Sequence, residues 1–268
     1  MRYVVFNRKG GVGKSTIVCN LAAVAAASGR RTLVVDLDPQ GNASHYLLGT
    51  EPDPERTVSK FFESTLGFSL IGGNRPEQWV QPTPFERLSL MAADATLADL
   101  QNKLETKFKI NKLRDQLVAL EDAFEVVLID TPPALSFFTV SALIAADRCL
   151  IPFDCDEFSR RALYQLLASV EEIRADHNPD LRVGGIVVNH YQAQAKLPRQ
   201  MVEALIDEGL PVLQPYLSPS VKVRESHRAH QPLVHYDPKH RVAEQFNRLW
   251  QSVEAVGRQP PEMPALGG

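Results

Sequence analysis

The sequence predicts an α/β fold: a doubly wound, mostly parallel sheet flanked by helices. Three observations predict it. Short apolar runs of strand length alternate along the chain with stretches of helical periodicity. The run FEVVLI at 124–129 is apolar at nearly every position, as a strand covered on both faces must be. Several runs end on Asp or Asn, at the strand ends where open α/β sheets bind ligands.

Composition narrows the class. The chain has 268 residues, 44% hydrophobic and 23% charged, which is ordinary for a globular protein. With no break in composition, the expected organisation is one domain over 1–257, with an irregular insertion at about 50–87 and a Pro/Gly-rich tail at 258–268. A net charge of −3 excludes a globally basic nucleic-acid coat, so any such contact must come from a local patch. Cys19, Cys149 and Cys155 form no CxxC pair and no metal-ligand spacing, and are expected as reduced thiols of a cytoplasmic protein. No apolar run approaches the roughly 20 residues that cross a bilayer. The first strand is expected to begin within two residues of the first Met, so neither a signal peptide nor a leading helix-turn-helix unit is expected.

Tyr3–Phe6 is the first expected strand and Ile17–Ala27 the first helix, closed by Gly29. Between them lies KGGVGKST, residues 9–16. A strand, a Gly-rich turn and a helix make a phosphate cradle. The backbone of Gly10, Gly11, Val12 and Gly13 turns its N–H groups inward, and the helix N-terminus adds positive potential. Lys14 is expected to reach the β- and γ-phosphates, Ser15 to hold Mg²⁺, and Thr16 to bond the α-phosphate. The general motif G-x-x-x-x-G-K-[ST] has Gly at position 8; this chain has Arg8, followed by Lys9.

Thr32–Val35 is the second strand, ending at Asp36 in DLDPQGNAS (36–44). Residues 50–87 hold five prolines, Pro52, Pro54, Pro76, Pro82 and Pro84; a short helix is expected at Thr57–Phe62 and irregular chain over the sheet edge elsewhere. Leu88–Met91 is the third strand. Leu97, Leu100, Leu104 and Phe108 then recur at helical spacing, with Thr96 and Asp99 as an N-terminal capping pattern. Lys103, Lys107, Lys109, Lys112 and Arg114 interleave with Asp99, Glu105 and Asp115, which favours a solvated face over a DNA site. The strand at 124–129 ends in Asp130-Thr131-Pro132-Pro133. Strands follow at Arg148–Pro152 and Val183–Val188, the latter ending at Asn189, with a helix at Leu163–Ile173 between them. Val212–Tyr216 is the last expected strand and Arg241–Val256 the last helix. Between these two, Lys222, Arg224, Arg228, Lys239 and Arg241 cluster with four of the seven histidines, opposed by Glu225 and Asp237.

These motifs resemble the ParA/MinD family of deviant Walker A P-loop ATPases, and most closely its ParA-type partitioning and positioning members. The pattern x-K-G-G-x-G-K-[ST] at 8–15, D-x-D-P-Q at 36–40 and DTPP at 130–133 carry the resemblance. It covers nearly the whole chain and is weakest in 50–87. It implies that ATP and Mg²⁺ are the ligands and that Lys9 reaches across a homodimer to the other subunit's nucleotide. It also implies that Asp38 orients the attacking water, that Asp36 sits near the Mg²⁺ shell or braces the loop, and that Asp130 holds Mg²⁺. Thr131 and Pro132 would belong to switch II, and the Asn189 amide would read the adenine edge. Lys222 falls where family members place an arginine for DNA; with Arg224 and Arg228 it would engage nucleoid DNA without sequence preference. A ParB-like or cargo adaptor protein would stimulate slow hydrolysis, and the cycle would position a plasmid, chromosome or protein complex. A MinD-like membrane role is the alternative. The terminus GRQPPEMPALGG speaks against it: three prolines interrupt any helix, and only Met263 and Leu266 could insert. A metal-cluster relative would need paired cysteines that the chain lacks, and a metabolic synthetase would use the loop at 36–44 for substrate, a chemistry DPQGNAS does not suggest.

Overall fold

The computed structural model describes residues 1–67, 75–156 and 159–258. In chain order these form β1 (Arg2–Val5), α1 (Lys14–Ala27), β2 (Thr32–Asp36), α2 (Asn42–Leu48) and α3 (Val58–Leu66). A 3-10 turn at Pro76–Trp79, β3 (Gln81–Pro82), β4 (Leu88–Met91), α4 (Leu97–Thr106), α5 (Lys112–Ala119) and β5 (Val126–Asp130) follow. The second half contributes α6 (Phe137–Ala145), β6 (Arg148–Asp154), α7 (Ser159–Asp176), β7 (Arg182–Asn189) and α8 (Lys196–Asp207). It ends with β8 (Val212–Leu213), α9 (Val221–Arg228), α10 (Leu233–Tyr236) and α11 (Arg241–Gly257).

The strands make one sheet in the order β3-β4-β2-β5-β1-β6-β7-β8. Every pairing is parallel except β3 with β4. Beginning at the centre, the chain winds out through β2 and β4, returns to β5, and then winds the other way through β6, β7 and β8. The loop after β1 therefore opens at the point where the winding reverses, where the crevice of such sheets lies. Strand alternation divides the core in two. β1 sends Val4 into one layer and Tyr3 and Val5 into the other; β2 sends Leu33 and Val35 one way and Val34 the other. One layer packs under α3 to α7, the second under α1, α2, α10 and α11. Each fully buried Val, Leu or Phe contributes about 1.5–3 kcal/mol, which makes the double-sided sheet a rigid mount for its loops.

Several expectations change in detail. The helix expected through Phe108 ends at Thr106, and a second helix, α5, follows it. Phe108 stands between them at φ 52°, 89% exposed, while Leu113 and Leu117 of α5 take the next core positions. Thr96 is not an N-cap. It already has helical dihedrals, and Asp94 Oδ1 accepts from its backbone N–H at 2.8 Å, so the cap function falls to Asp94. Part of the insertion is a strand: Gln81 and Pro82 pair antiparallel with β4 at the sheet edge, where a proline without a donor is tolerated. The last strand stops at Leu213, two residues before Pro215, instead of running to Tyr216. Thr57 caps α3 by accepting from Lys60 N, within the short helix expected there. α6 is apolar on all sides, so it shows no amphipathic period, and it is buried between α5 and α7. Residues 68–74 of the insertion and 259–268 of the tail, with Met263 and Leu266, lie outside the described residues. Among the described residues no helix is long and apolar enough to cross a membrane.

Candidate phosphate-binding site

The loop after β1 is fixed from both ends. Asn7 Nδ2 donates to the Pro152 carbonyl at 2.6 Å, and its Oδ1 accepts from Lys9 N at 2.9 Å. Further on, Asn189 Nδ2, at the end of β7, donates to the Val12 carbonyl at 2.9 Å. Gly13 has φ 92°, and a Cβ there would collide with the Asn189 amide. No side chain caps α1, so its first backbone N–H groups are left for an anion. Lys14 is only 7% exposed, and its Nζ lies 3.3 Å from the Lys9 carbonyl. Burial lowers its pKa, opposed by Asp130 and Asp38.

Three carboxylates face this loop from the neighbouring strand ends. Asp36 and Asp130 stand side by side across the parallel β2–β5 pair, and both are fully buried. The Asp36 carboxylate is engaged by protein donors: Oδ1 accepts from Asp38 N at 3.1 Å, and Oδ2 from Ser44 N and Ser44 Oγ at 2.8 Å each. It thereby braces the turn that carries Asp38. Burial still pushes its pKa up to about 6. In Asp130, Oδ1 accepts from Thr131 N, but Oδ2 has no hydrogen-bond partner. Burial, reinforced by Asp36, raises its pKa well above the usual carboxylate range, while the Ser15 side chain and Lys14 pull the other way. A buried carboxylate oxygen without a donor, beside the Ser15 hydroxyl, fits a hard cation such as Mg²⁺. No three His, Cys, Asp or Glu side chains among the described residues could hold a metal together, so most of its shell would be phosphate and water. Thr131 Oγ1 donates to the Val5 carbonyl at 2.8 Å, tying the segment after β5 to β1.

Beside the loop lies a cavity of about 600 Å³, bordered by Gly11, Gly13, Thr16 and Asn189 on one side and by Arg224 and His227 of α9 on another. His227 was not singled out in the sequence. Its Nε2 lies 3.0 Å from Thr16 Oγ1, and its ring stacks on Tyr46 with centroids 3.9 Å apart. The other clustered histidines are structural. His230 packs edge-on against His45, His235 stacks on Phe85, and His240 caps α11 by accepting from Val242 N.

The expected basic cluster is split: Arg224 and Arg228 share one face of α9, and Lys222 lies on the other. At about 100° per residue, Arg224 lies about 200° round α9 from Lys222, and Arg228 about 240°. Lys222 pairs with Glu225 at 2.8 Å and sits over the Tyr236 ring. Arg224 borders the cavity, and Arg228 is exposed. Lys9 points away from its own cradle. Its Nζ pairs with Asp156 and lies 3.5 Å from Asp154, and the Asp156 bond raises its pKa. Arg8, at the missing glycine, donates to Ser169 Oγ of α7 at 2.8 Å.

The family described as an AAA domain matches residues 2–183. The chain is 32% identical over 267 residues to the chromosome partitioning protein ParA of Myxococcus xanthus, covering 97% of this chain and 89% of that one. It is 31% identical over 255 residues to the sporulation initiation inhibitor protein Soj of Bacillus subtilis, covering 94% and 98%. Among solved structures, the cobyrinic acid a,c-diamide synthase of Mycobacterium smegmatis with bound ADP and magnesium superposes with a TM-score of 0.80. It shares 26% identity and covers 100% of this chain and 99% of that one.

Proposed function

Because the chain belongs to the ParA/MinD family of P-loop ATPases, we propose that it is a ParA-like positioning ATPase. It would bind ATP with Mg²⁺, dimerise on the nucleotide, and hydrolyse it slowly until a partner protein stimulates it. The unit that does this is the single domain over 1–257. The observation that carries the reading is one constellation: an uncapped α1 N-terminus with a buried Lys14 and a partnerless Asp130 Oδ2 beside it.

Each residue has a role that its surroundings support. Gly10, Gly11, Val12 and Gly13 offer backbone N–H groups to the β-phosphate, and Lys14 neutralises the β- and γ-oxygens. Ser15 and Asp130 hold Mg²⁺, which supplies charge neutralisation on the phosphates. Asp36 serves as the brace, since its carboxylate already accepts three hydrogen bonds. Asp38 orients the attacking water. Thr131 and Pro132 respond to the γ-phosphate. Asn189 keeps Oδ1 for the base while Nδ2 holds the loop. Thr16 binds the α-phosphate.

Lys9 acts in trans, on the nucleotide of the other subunit, after leaving Asp154 and Asp156. The exposed charges of Lys222 and Arg228, with Arg224 at the cavity rim, engage DNA without sequence preference, which places the ATP-bound protein on the nucleoid. An ATP-dependent gel shift on arbitrary DNA, run beside liposome sedimentation, tests this. Retention on DNA alone is expected; sedimentation with liposomes would support the membrane-bound alternative instead. Lys9→Ala should abolish ATP-dependent dimerisation in light-scattering chromatography, and a variant that still dimerises would rule out the trans role. Charge reversal at Lys222 and Arg228 should remove the gel shift and leave ATPase activity intact.

A further inference from the structure

α9 contributes more than charge to this site. Thr16 Oγ1 lies one helical residue beyond Ser15 and 3.0 Å from His227 Nε2. That bond is one link of a closed chain. His227 stacks on Tyr46 with the rings 11° from parallel. The Tyr46 hydroxyl pairs with Ser226 Oγ at 2.7 Å and accepts from Asn20 Nδ2 at 3.4 Å. Asn20 Nδ2 also donates to the Thr16 carbonyl at 2.9 Å, returning to the starting residue. α1, α2 and α9 are thus joined around Thr16. Two residues before Tyr46, Ser44 holds the Asp36 carboxylate, so α2 links this ring to the turn that carries Asp38.

We propose that His227 is a positioning residue for the nucleotide: its Nε2 orients the Thr16 hydroxyl toward the phosphates and ties α9 to nucleotide occupancy. This rests on the reading of the cavity as an ATP site. A hydroxyl has one proton and two lone pairs. When the neutral imidazole donates through Nε2–H, Thr16 Oγ1 accepts, and its own proton is directed to an acceptor in the cradle. Burial of His227 favours that neutral form. The ring stack fixes the plane of the imidazole, and the bond to Thr16 selects the orientation that brings Nε2 to the loop. Packing alone would need an aromatic ring over Tyr46; it would not need a nitrogen aimed at the loop that grips phosphate.

Fluorescence titration of the full chain with N-methylanthraniloyl-ADP and Mg²⁺ separates the two. His227→Phe keeps the ring and removes the nitrogen, and should weaken binding by about fivefold, the worth of one net hydrogen bond. His227→Gln, whose amide reaches the same point, should recover to within about twofold of wild type. In a Thr16→Val background His227→Phe should have no further effect, because the two changes remove one interaction. Binding by H227F equal to wild type, tighter binding, or an undiminished loss in the T16V background would each overturn the proposal. If H227F does not fold, the imidazole ¹⁵N signals of the wild-type protein decide. The Nε2 resonance of His227 must shift when MgADP is added, and an unmoved signal overturns the assignment. A wild-type protein that binds no probe overturns the ATP reading itself, whereas wild-type binding with an unaffected H227F overturns only the role of His227.

Discussion

The cavity has two walls of different origin. Gly11, Gly13 and Thr16 line the first, and it is mostly a backbone wall: φ values of 75° at Gly11 and 92° at Gly13, and an uncapped helix N-terminus. α9 forms the second, and it is a side-chain wall, presenting Arg224 and His227 from a helix more than 200 residues downstream. The first wall is specified by adjacent residues, because backbone conformation is a local property. The second is specified by packing, since only the docking of α9 against α1 and α2 brings His227 to Thr16. A residue in the first wall therefore has few allowed substitutes, while the second can be adjusted in small steps.

The largest expected effect tests that asymmetry. Gly13→Ala places a Cβ against the Asn189 amide in a left-handed conformation, and should reduce nucleotide affinity by about a hundredfold or more in the fluorescence titration. Arg224→Ala, on the opposite wall, should change it by no more than a few-fold. If the two variants cost the same, the distinction between the walls fails.

A second comparison sets function against stability within the carboxylate cluster. Asp130 is buried beside Asp36 with one oxygen unpartnered, so its charge burdens the ligand-free fold. Asp130→Asn should stabilise the ligand-free protein at pH 7.5 by about 2 kcal/mol and abolish the Mg²⁺ dependence of nucleotide affinity. The pH dependence follows from the sign of the shifts. A carboxyl whose folded pKa lies above its unfolded value binds protons more tightly when folded, so stability falls as pH rises between the two values. For Asp36 that window runs from about 4 to about 6, and for Asp130 it also extends upward from the unfolded value. The thermal advantage of D130N should accordingly shrink as pH is lowered from 7.5 toward 5. An advantage independent of pH would mean that the Asp130 charge is already compensated.

The smallest effect probes the join between the walls. Tyr46→Phe deletes the hydroxyl between Ser226 and Asn20 but keeps the stack on His227. It should cost about 1 kcal/mol in denaturant unfolding and leave nucleotide affinity nearly unchanged. A large loss of affinity would show that the cavity depends on the whole ring of contacts and not on the His227–Thr16 bond alone.

The order of legibility follows the same division. The strands at 32–36 and 126–130 were readable because near-continuous apolar runs ending abruptly in Asp leave few alternatives. That Asp36 and Asp130 lie side by side was readable because the ends of neighbouring parallel strands converge wherever the helices pack. The break at Phe108 was not readable. Its spacing suits a longer helix, but Phe108 takes a left-handed conformation and is exposed, and Leu113 and Leu117 of α5 supply the next buried positions. Nor was the arrangement of α9. Its cations look like a patch in one dimension, but the helix turn sets Lys222 on one side and Arg224 with Arg228 on the other, and His230 and His235 beside them serve packing contacts.

The sequence by itself determined the cradle, the strand-end carboxylates and the parallel sheet, since each depends on neighbouring residues and on periodicities of two or 3.6. Tertiary structure alone decided which side chains those groups meet. It held Lys9 on Asp156, gave the Asp36 carboxylate to Ser44 and Asp38, left Asp130 Oδ2 without a donor, and set His227 against Thr16. Such pairings join residues up to 211 positions apart, and their partners are chosen by burial and shape complementarity across the whole core, quantities that no local stretch of chain contains.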